Sequence, residues 1–161
     1  MIKMESIRQF FAGRPHWMNA VMLFCAYMTF IYMPFDMFFK PVSEDQEVWF
    51  GILLTGWAAK ATEPLHWVIY GAGLYGFIKM KSWMWPWASL YVAQIAFSMM
   101  VWSMMDDRGS LLSGLISGGI FLGLAILFWR ARPLFRGPGE TDDNGITELV
   151  ESNDRQGKDD S

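Results

Sequence analysis

The sequence predicts an all-α integral membrane protein, built as a bundle of four transmembrane helices and followed by a disordered C-terminal tail. Three observations carry this prediction. The 161 residues are 53% hydrophobic and 17% aromatic, which exceeds the content of an ordinary soluble domain. Long apolar stretches recur along the chain and stop after Phe135. Lys and Arg residues collect on alternate connections between these stretches.

Three stretches are long and apolar enough to cross the hydrocarbon core, which takes about 20 residues of helix. They are residues 17–39, 83–105 and 109–129. The first one follows basic residues, as a signal peptide would. It is 23 residues long, however, and no pair of small residues suited to cleavage follows it before Pro41. We therefore expect it to be retained as a span.

The remaining apolar stretch, residues 48–78, is too long for one straight crossing and contains Pro64 in its middle. Proline is well tolerated in the first turn of a helix, so Pro64 is expected to begin a new helix. Residues 64–78 would then supply most of the second crossing. Residues 48–59 are expected to form a short interfacial or re-entrant helix, continuous with this span or kinked against it at Pro64.

Positive charges predict the orientation of the four spans. Eight Lys and Arg residues lie in the segments on one side and two in the segments on the other. The positive-inside rule then places both termini in the cytoplasm of a protein that is integral to a membrane, which we expect to be the bacterial inner membrane.

The chain divides by composition into a cytoplasmic N-terminal segment (1–16), a transmembrane domain (17–136) and an acidic cytoplasmic tail (137–161). The tail carries two Lys or Arg residues against eight Asp or Glu residues, has no aromatic residue, and is expected to be disordered. No basic surface suggests a nucleic-acid partner. The expected partners are the lipid bilayer and a second copy of the chain or another subunit of a membrane complex.

The strongest candidate for chemistry is a polar group at the start of the second crossing. Lys60, Glu63, His66 and Tyr70 are spaced three or four residues apart, so a continuous helix would align them on one face. Charges at membrane depth are costly and normally face a polar partner. Glu63 and His66 are therefore candidates for acid–base catalysis. The alternative is that Lys60 and Glu63 only tie a broken helix together.

Asp36 is the third catalytic candidate, near the outer end of the first span. It either faces an outward-open cavity together with Glu63 or reaches the surface and pairs with Lys40, one helical turn away. The side chains expected to line an apolar ligand site are Lys60, Trp57, Trp67, Tyr70, Tyr91, Gln94 and Ser98. For the last three, hydrogen bonds between helices are the structural alternative.

Two further predictions concern metals and helix packing. Glu63 and His66 have the spacing of a helical metal-binding pair, but His16 is the only other histidine, so we expect neither a metal site within one chain nor a cofactor. Gly114 and Gly118 lie four residues apart and predict a close helix contact. Its partner is expected to be Ala72 and Gly76 in the second span, another span, or a second copy.

No motif in the chain identifies a family. The layout of four spans with carboxylates near the outer ends of the first two is similar to that of the sterol isomerase and sigma-2 receptor group. Asp36 and Glu63 would be the matching positions, whereas the long loop of that group is missing.

Three functions remain open. The first is an accessory subunit or a membrane protein that binds an apolar ligand or lipid. The second is an enzyme that acts on a lipid or isoprenoid-like substrate through Glu63, His66 and Asp36. The third is an oligomeric transporter of small solutes or a proton-coupled carrier built around Lys60 and Glu63.

Overall fold

A computed structural model describes residues 5, 10–107 and 109–135, most of which are helical. Three helices are long and apolar enough to cross a membrane, namely His16–Phe38, Met84–Met105 and Leu111–Arg130. They coincide with the three stretches predicted to be clean spans, so the prediction of an integral membrane protein is supported by these three helices. The predicted acidic tail lies outside the described residues.

The described elements follow one another with short connections. In chain order they are α1 (His16–Tyr27), a π-helical turn (Met28–Tyr32), α2 (Met33–Phe38), a 3-10 turn (Val42–Glu44), β1 (Gln46–Trp49), β2 (Ile52–Thr55), α3 (Trp57–Lys60), α4 (Glu63–Lys79), α5 (Met84–Met105), α6 (Leu111–Arg130) and α7 (Arg132–Phe135). The first three run on without a break and together form the first span.

The prediction of a helix over residues 48–59 is wrong for most of that segment. Residues 46–55 form an antiparallel hairpin in which β1 pairs with β2, and only α3 is helical. The two-residue turn consists of Phe50 at φ 50° and Gly51 at φ 84°. Gly51 fits because a Cβ there would lie 2.4 Å from Cγ1 of Val101. The hairpin turn therefore rests on α5, one helical turn from its end.

Helix α4 begins at Glu63 with Pro64 in its first turn, as the sequence predicts. It ends where Met80 adopts the left-handed conformation. With 17 residues, α4 is shorter than the three spans, so a bundle of four crossing helices goes beyond what helix length and composition establish.

The helices pack around an apolar core at one end of the molecule. The buried residues of this core come from α1, α4, α5, α6, α7 and the junction between the last two helices. They are Met18, Met22, Cys25, Phe77, Met84, Phe128, Ala131 and Phe135. At the same end, Arg14 donates hydrogen bonds to the carbonyls of Phe77 and Ile78, the last turn of α4. The opposite end of α4 lies in a cluster of charged residues.

Candidate functional site

Five charged residues from four segments meet at the start of α4 and form what we term the charge cluster. They are Asp36 of α2, Lys40 and Asp45 of the loop before the hairpin, Lys60 of α3 and Glu63 of α4. The turn between α3 and α4 places Lys60 and Glu63 three residues apart on neighbouring helices. The loop after the first span returns across the end of α2, which brings Asp45 to both lysines.

Both ammonium groups are shared between carboxylates. Nζ of Lys40 lies 2.9 Å from Oδ1 of Asp36 and 2.8 Å from Oδ1 of Asp45. Nζ of Lys60 lies 3.1 Å from Oε1 of Glu63 and 3.5 Å from Oδ2 of Asp45. It also donates to the backbone carbonyls of Asp36 and Lys40. The cluster therefore ties the C-terminal end of the first span to the loop, to α3 and to α4.

The acidic members of the cluster are closed off from solvent. The exposed fraction is 1% for Asp36, 1% for Asp45 and 0% for Glu63. Asp36 thus pairs with Lys40, as one of the two predicted alternatives has it, but it does not reach the surface. It also shares its surroundings with Glu63, in a packed cluster rather than beside an open cavity. Buried charges of this kind are retained only when they are paired.

Burial and pairing change the protonation of these groups. Burial and the hydrogen bond with Asp45 raise the pKa of Glu63 to about 7, against the opposing effect of Lys60. For Asp45, burial alone would raise the pKa, but hydrogen bonds with Glu63 and Lys40 outweigh it, and the pKa is lowered. The pKa values of Lys40 and Lys60 are raised, because their acidic partners outweigh the effect of burial.

The three carboxylates could bridge a cation by distance, since Asp36, Asp45 and Glu63 each offer an oxygen within 4.8 Å of the others. The ammonium groups of Lys40 and Lys60, however, lie against at least one oxygen of each of these carboxylates. A metal ion held by the three carboxylates would therefore lie beside two positive charges of the protein itself.

His66 lies apart from the charge cluster, although it follows Glu63 by three residues. Its Nδ1 is 3.4 Å from Oε2 of Glu47, and its ring stacks on Trp49 with centroids 4.5 Å apart and an angle of 10° between the planes. Both partners belong to the first strand of the hairpin. The predicted relay from Glu63 to His66 therefore has no counterpart among the hydrogen bonds and ion pairs of the described residues.

The predicted ligand-lining residues are distributed over separate places. Trp57 is 76% exposed and contributes nothing to the charge cluster. Trp67 donates from Nε1 to the carbonyl of Thr29, at 2.8 Å, where the first span widens into its π-helical turn. This bond links α4 to the first span at mid-depth.

Polar side chains on α5 form a third group. The hydroxyl groups of Tyr70 and Tyr91 are close enough to share a hydrogen bond between α4 and α5. Gln94 donates to the buried hydroxyl of Ser98 at 2.8 Å, within α5. These contacts satisfy the polar groups inside the helix bundle, as interhelical and intrahelical hydrogen bonds do in membranes.

Sequence reasoning missed Asp45, Glu47 and Trp49 as members of these groups. The signal available for Asp45 was its position five residues after Lys40, the only lysine of an otherwise acidic loop. No periodic pattern could show that the loop folds back over the helix ends. That arrangement depends on the hairpin.

The small residues of α6 face the preceding helix of the same chain. A Cβ on Gly114 would lie 3.0 Å from Cβ of Ser103, and one on Gly118 would lie 3.1 Å from the carbonyl oxygen of Ala96. Ala72 is exposed and Gly76 packs against Met84, so these two residues do not face the glycines of α6.

Comparison of this chain with models of protein families, with curated proteins and with solved structures gives no match.

Proposed function

We propose that this chain is a membrane protein that binds rather than catalyses, either as an accessory subunit of a membrane complex or as a binding protein for an apolar ligand or lipid. One observation carries the proposal. The carboxylates that could have served as acid or base are 0–1% exposed and are occupied by the lysines of the chain itself. A substrate would have no access to them without a rearrangement of the loop.

The separation of Glu63 from His66 weighs in the same direction. A catalytic acid–base pair needs its members within hydrogen-bond reach of each other or of one reacting group. His66 instead contacts Glu47 and Trp49 on the hairpin. The surface, in contrast, is rich in large apolar side chains beyond the spans, including Phe50 at 60% exposure and Trp57 at 76%. Such a surface suits lipid or a membrane-embedded partner.

We further propose that α4 makes a fourth crossing. Its 17 residues span about 26 Å, close to the hydrocarbon thickness of about 30 Å. Its first residue pairs with Lys60, and Lys60 contacts Asp36 and Lys40 at the outer end of the first span. Its last carbonyls bind Arg14 at the other end. The helix therefore runs the length of the first span. With the charge asymmetry, both termini would be cytoplasmic, in a bacterial inner membrane.

Accessibility of single cysteines tests the crossing. In a Cys25→Ser background, Ser43→Cys and Ser82→Cys place one thiol on each exposed connection that flanks α4. A membrane-impermeant maleimide added to right-side-out vesicles should label position 43 at once and position 82 only after permeabilisation. Labelling of both positions from the same side would remove the fourth crossing and leave three.

The binding role is tested by extracting the protein in native lipid discs and analysing it by mass spectrometry. We expect a specific apolar molecule or a second protein to be retained in stoichiometric amount. A fully monomeric protein that carries only bulk lipid would contradict the proposal. Comparison with the Gly119→Leu variant, on the open face of α6, reports whether that face takes part.

A further inference from the structure

The charge cluster contains one acid more than it can balance. Three carboxyl groups, those of Asp36, Asp45 and Glu63, face two ammonium groups, those of Lys40 and Lys60. If every group were ionised, the cluster would hold a net negative charge in a place that solvent hardly reaches. An uncompensated buried charge costs several kcal/mol. Electroneutrality therefore calls for one additional positive charge.

The hydrogen bonds show where that charge is missing. Asp45 meets Lys40 through Oδ1, and Glu63 meets Lys60 through Oε1. The other oxygens, Oδ2 of Asp45 and Oε2 of Glu63, are buried and accept no hydrogen bond, although Oδ2 of Asp45 lies 3.5 Å from Nζ of Lys60. The carboxylate oxygens of Asp36 also accept none, and their ion pair is with Lys40. Oxygens of Asp45 and Glu63 lie within 4.8 Å of each other, and the interaction of the two carboxyl groups raises the pKa of Glu63 and lowers that of Asp45. Two ionised carboxylates at that range would repel, because neither has a donor.

We propose that Asp45 and Glu63 share one proton. This shared proton, which we term the latch, holds the loop and the hairpin on the outer ends of the first span and α4. With the proton in place, one carboxyl group donates to the other, and the cluster of three acids and two lysines becomes neutral. When the proton leaves to solvent, the two carboxylates repel and the loop at Asp45 loosens from α4.

Several other ionisable groups lie in or next to the charge cluster. Asp36 and Tyr32 belong to the first span, Lys40 to the loop and Lys60 to α3. The hairpin contributes Glu47, which is paired with His66 of α4. The negative charge of Asp36 disfavours a second negative charge on the pair, whereas the lysines favour it. Because His66 contacts the hairpin through Glu47, its contribution has to be separated in any experiment.

The direction of the pH dependence follows from linkage. In the closed form the pKa of Glu63 is about 7, whereas its ordinary value is 4.5. Between these values the closed form holds a proton that an opened, solvated Glu63 would release. Raising the pH across this window therefore favours opening, by up to about tenfold per pH unit. The lowered pKa of Asp45 acts in the opposite sense only under more acidic conditions, below its ordinary value of 3.8.

Infrared difference spectroscopy of the protein in lipid tests for the shared proton directly. At about pH 5.5, the His66→Gln protein should show the carbonyl stretch of a protonated carboxyl group, and this band should disappear above about pH 8. The band should be absent when Glu63→Gln is added and unchanged when the exposed Glu44→Gln is added instead. Absence of the band at about pH 5.5, or its persistence in the Glu63→Gln variant, would overturn the shared proton.

Hydrogen exchange tests the latch. The amide of Gly56, the residue that follows β2, donates to the carbonyl of Asp45 at 3.0 Å and so reports on the loop. Glutamine at position 63 is neutral and can donate to Asp45 at every pH. At about pH 8, we expect the Gly56 amide to exchange at least tenfold faster in the His66→Gln protein than in the same protein carrying Glu63→Gln. At about pH 5, the two rates should be equal. Equal rates at both pH values would overturn the latch, even if the band is found.

Discussion

The guanidinium of Arg14 lies 2.9 Å from the carbonyl oxygen of Phe77, across 63 positions of sequence. It also donates to the carbonyls of Ile78 and Phe10 and to Oδ1 of Asn19. The last turn of a helix leaves carbonyl groups without partners, and a cation placed there both donates to them and complements the helix dipole. Arg14 therefore fixes the end of α4 to the start of the first span.

Replacement of Arg14 by alanine should lower the free energy of unfolding by about 1.5–3 kcal/mol, the usual size for hydrogen bonds made by a charged group. Denaturant unfolding in detergent micelles measures this. Arg130 is an exposed arginine at the end of α6 and serves as the control. Its replacement by alanine should change the stability by less than about 0.5 kcal/mol. Equal effects of the two substitutions would mean that the Arg14 bonds contribute no stability.

Among the residues of the charge cluster, Lys60 is the one whose replacement should cost the most stability. Its ammonium lies against Glu63 and Asp45 and donates to two backbone carbonyls. Lys60→Met would keep most of the apolar stem and leave buried carboxylates without their partner, which typically costs about 3–5 kcal/mol. The exposed Lys79→Met is the matched control and should be nearly neutral.

A double-mutant cycle separates charge from packing at Lys60. Glu63→Gln removes one of the carboxyl groups that Lys60 serves, so the cost of Lys60→Met should fall by at least about 1 kcal/mol in that background. Strict additivity of the two substitutions in unfolding experiments would show that Lys60 and Glu63 are not coupled.

The sequence predicts the apolar helices because a span needs only length and hydrophobicity, which are local properties. The start of α4 at Glu63 is also local, since Pro64 suits a first helical turn. Such local properties do not predict the hairpin. Residues 48–55 are apolar enough for an interfacial helix, and a short apolar run does not distinguish strand from helix. The pairing of β1 with β2 depends on a turn that packs on Val101.

The candidate site was predicted only in part, for a related reason. Spacing of three residues correctly brings Lys60 to Glu63, although the two lie across the turn between α3 and α4 rather than on one continuous helix. The same spacing predicted His66 beside Glu63, whereas the hairpin draws His66 towards Glu47 and Trp49. Asp36 and Asp45 join Glu63 through contacts between segments far apart in sequence. Charge pairing of this kind is not visible in periodicity.

Glycines of α6 offer a direct comparison between a packed and an open face. A Cβ on Gly118 would lie 3.1 Å from the carbonyl of Ala96, whereas one on Gly119 or Gly123 would have no atom within 4 Å. Gly118→Val should therefore destabilise the pair of α5 and α6 by about 1–3 kcal/mol. Gly119→Val should have little effect. The midpoints of thermal unfolding in detergent distinguish these outcomes, and a loss of stability in Gly119→Val alone would reverse the assigned faces.

Substitution should stabilise the hairpin at Phe50 and destabilise it at Gly51. Both residues have positive φ values, but only at Phe50 does another residue type suit that conformation better. Phe50 adopts φ 50°, a conformation that bulky residues rarely take, and its ring is 60% exposed. Asparagine is preferred in such a two-residue turn, so Phe50→Asn should stabilise the hairpin by about 0.5–1 kcal/mol.

Gly51→Ala is the counterpart. Its Cβ would lie 2.4 Å from Cγ1 of Val101 and would add strain at φ 84°, so the turn should lift from α5 at a cost above about 1 kcal/mol. Hydrogen exchange of the Gly56 amide, which reports on the end of the hairpin, should slow in Phe50→Asn and quicken in Gly51→Ala. The double variant Gly51→Ala with Val101→Ala removes the methyl groups of Val101 but keeps its Cβ, which would lie 2.6 Å from the added Cβ, so it should recover only part of the loss. Full recovery would contradict the assignment, because neither the remaining contact nor the strain at φ 84° would then cost stability.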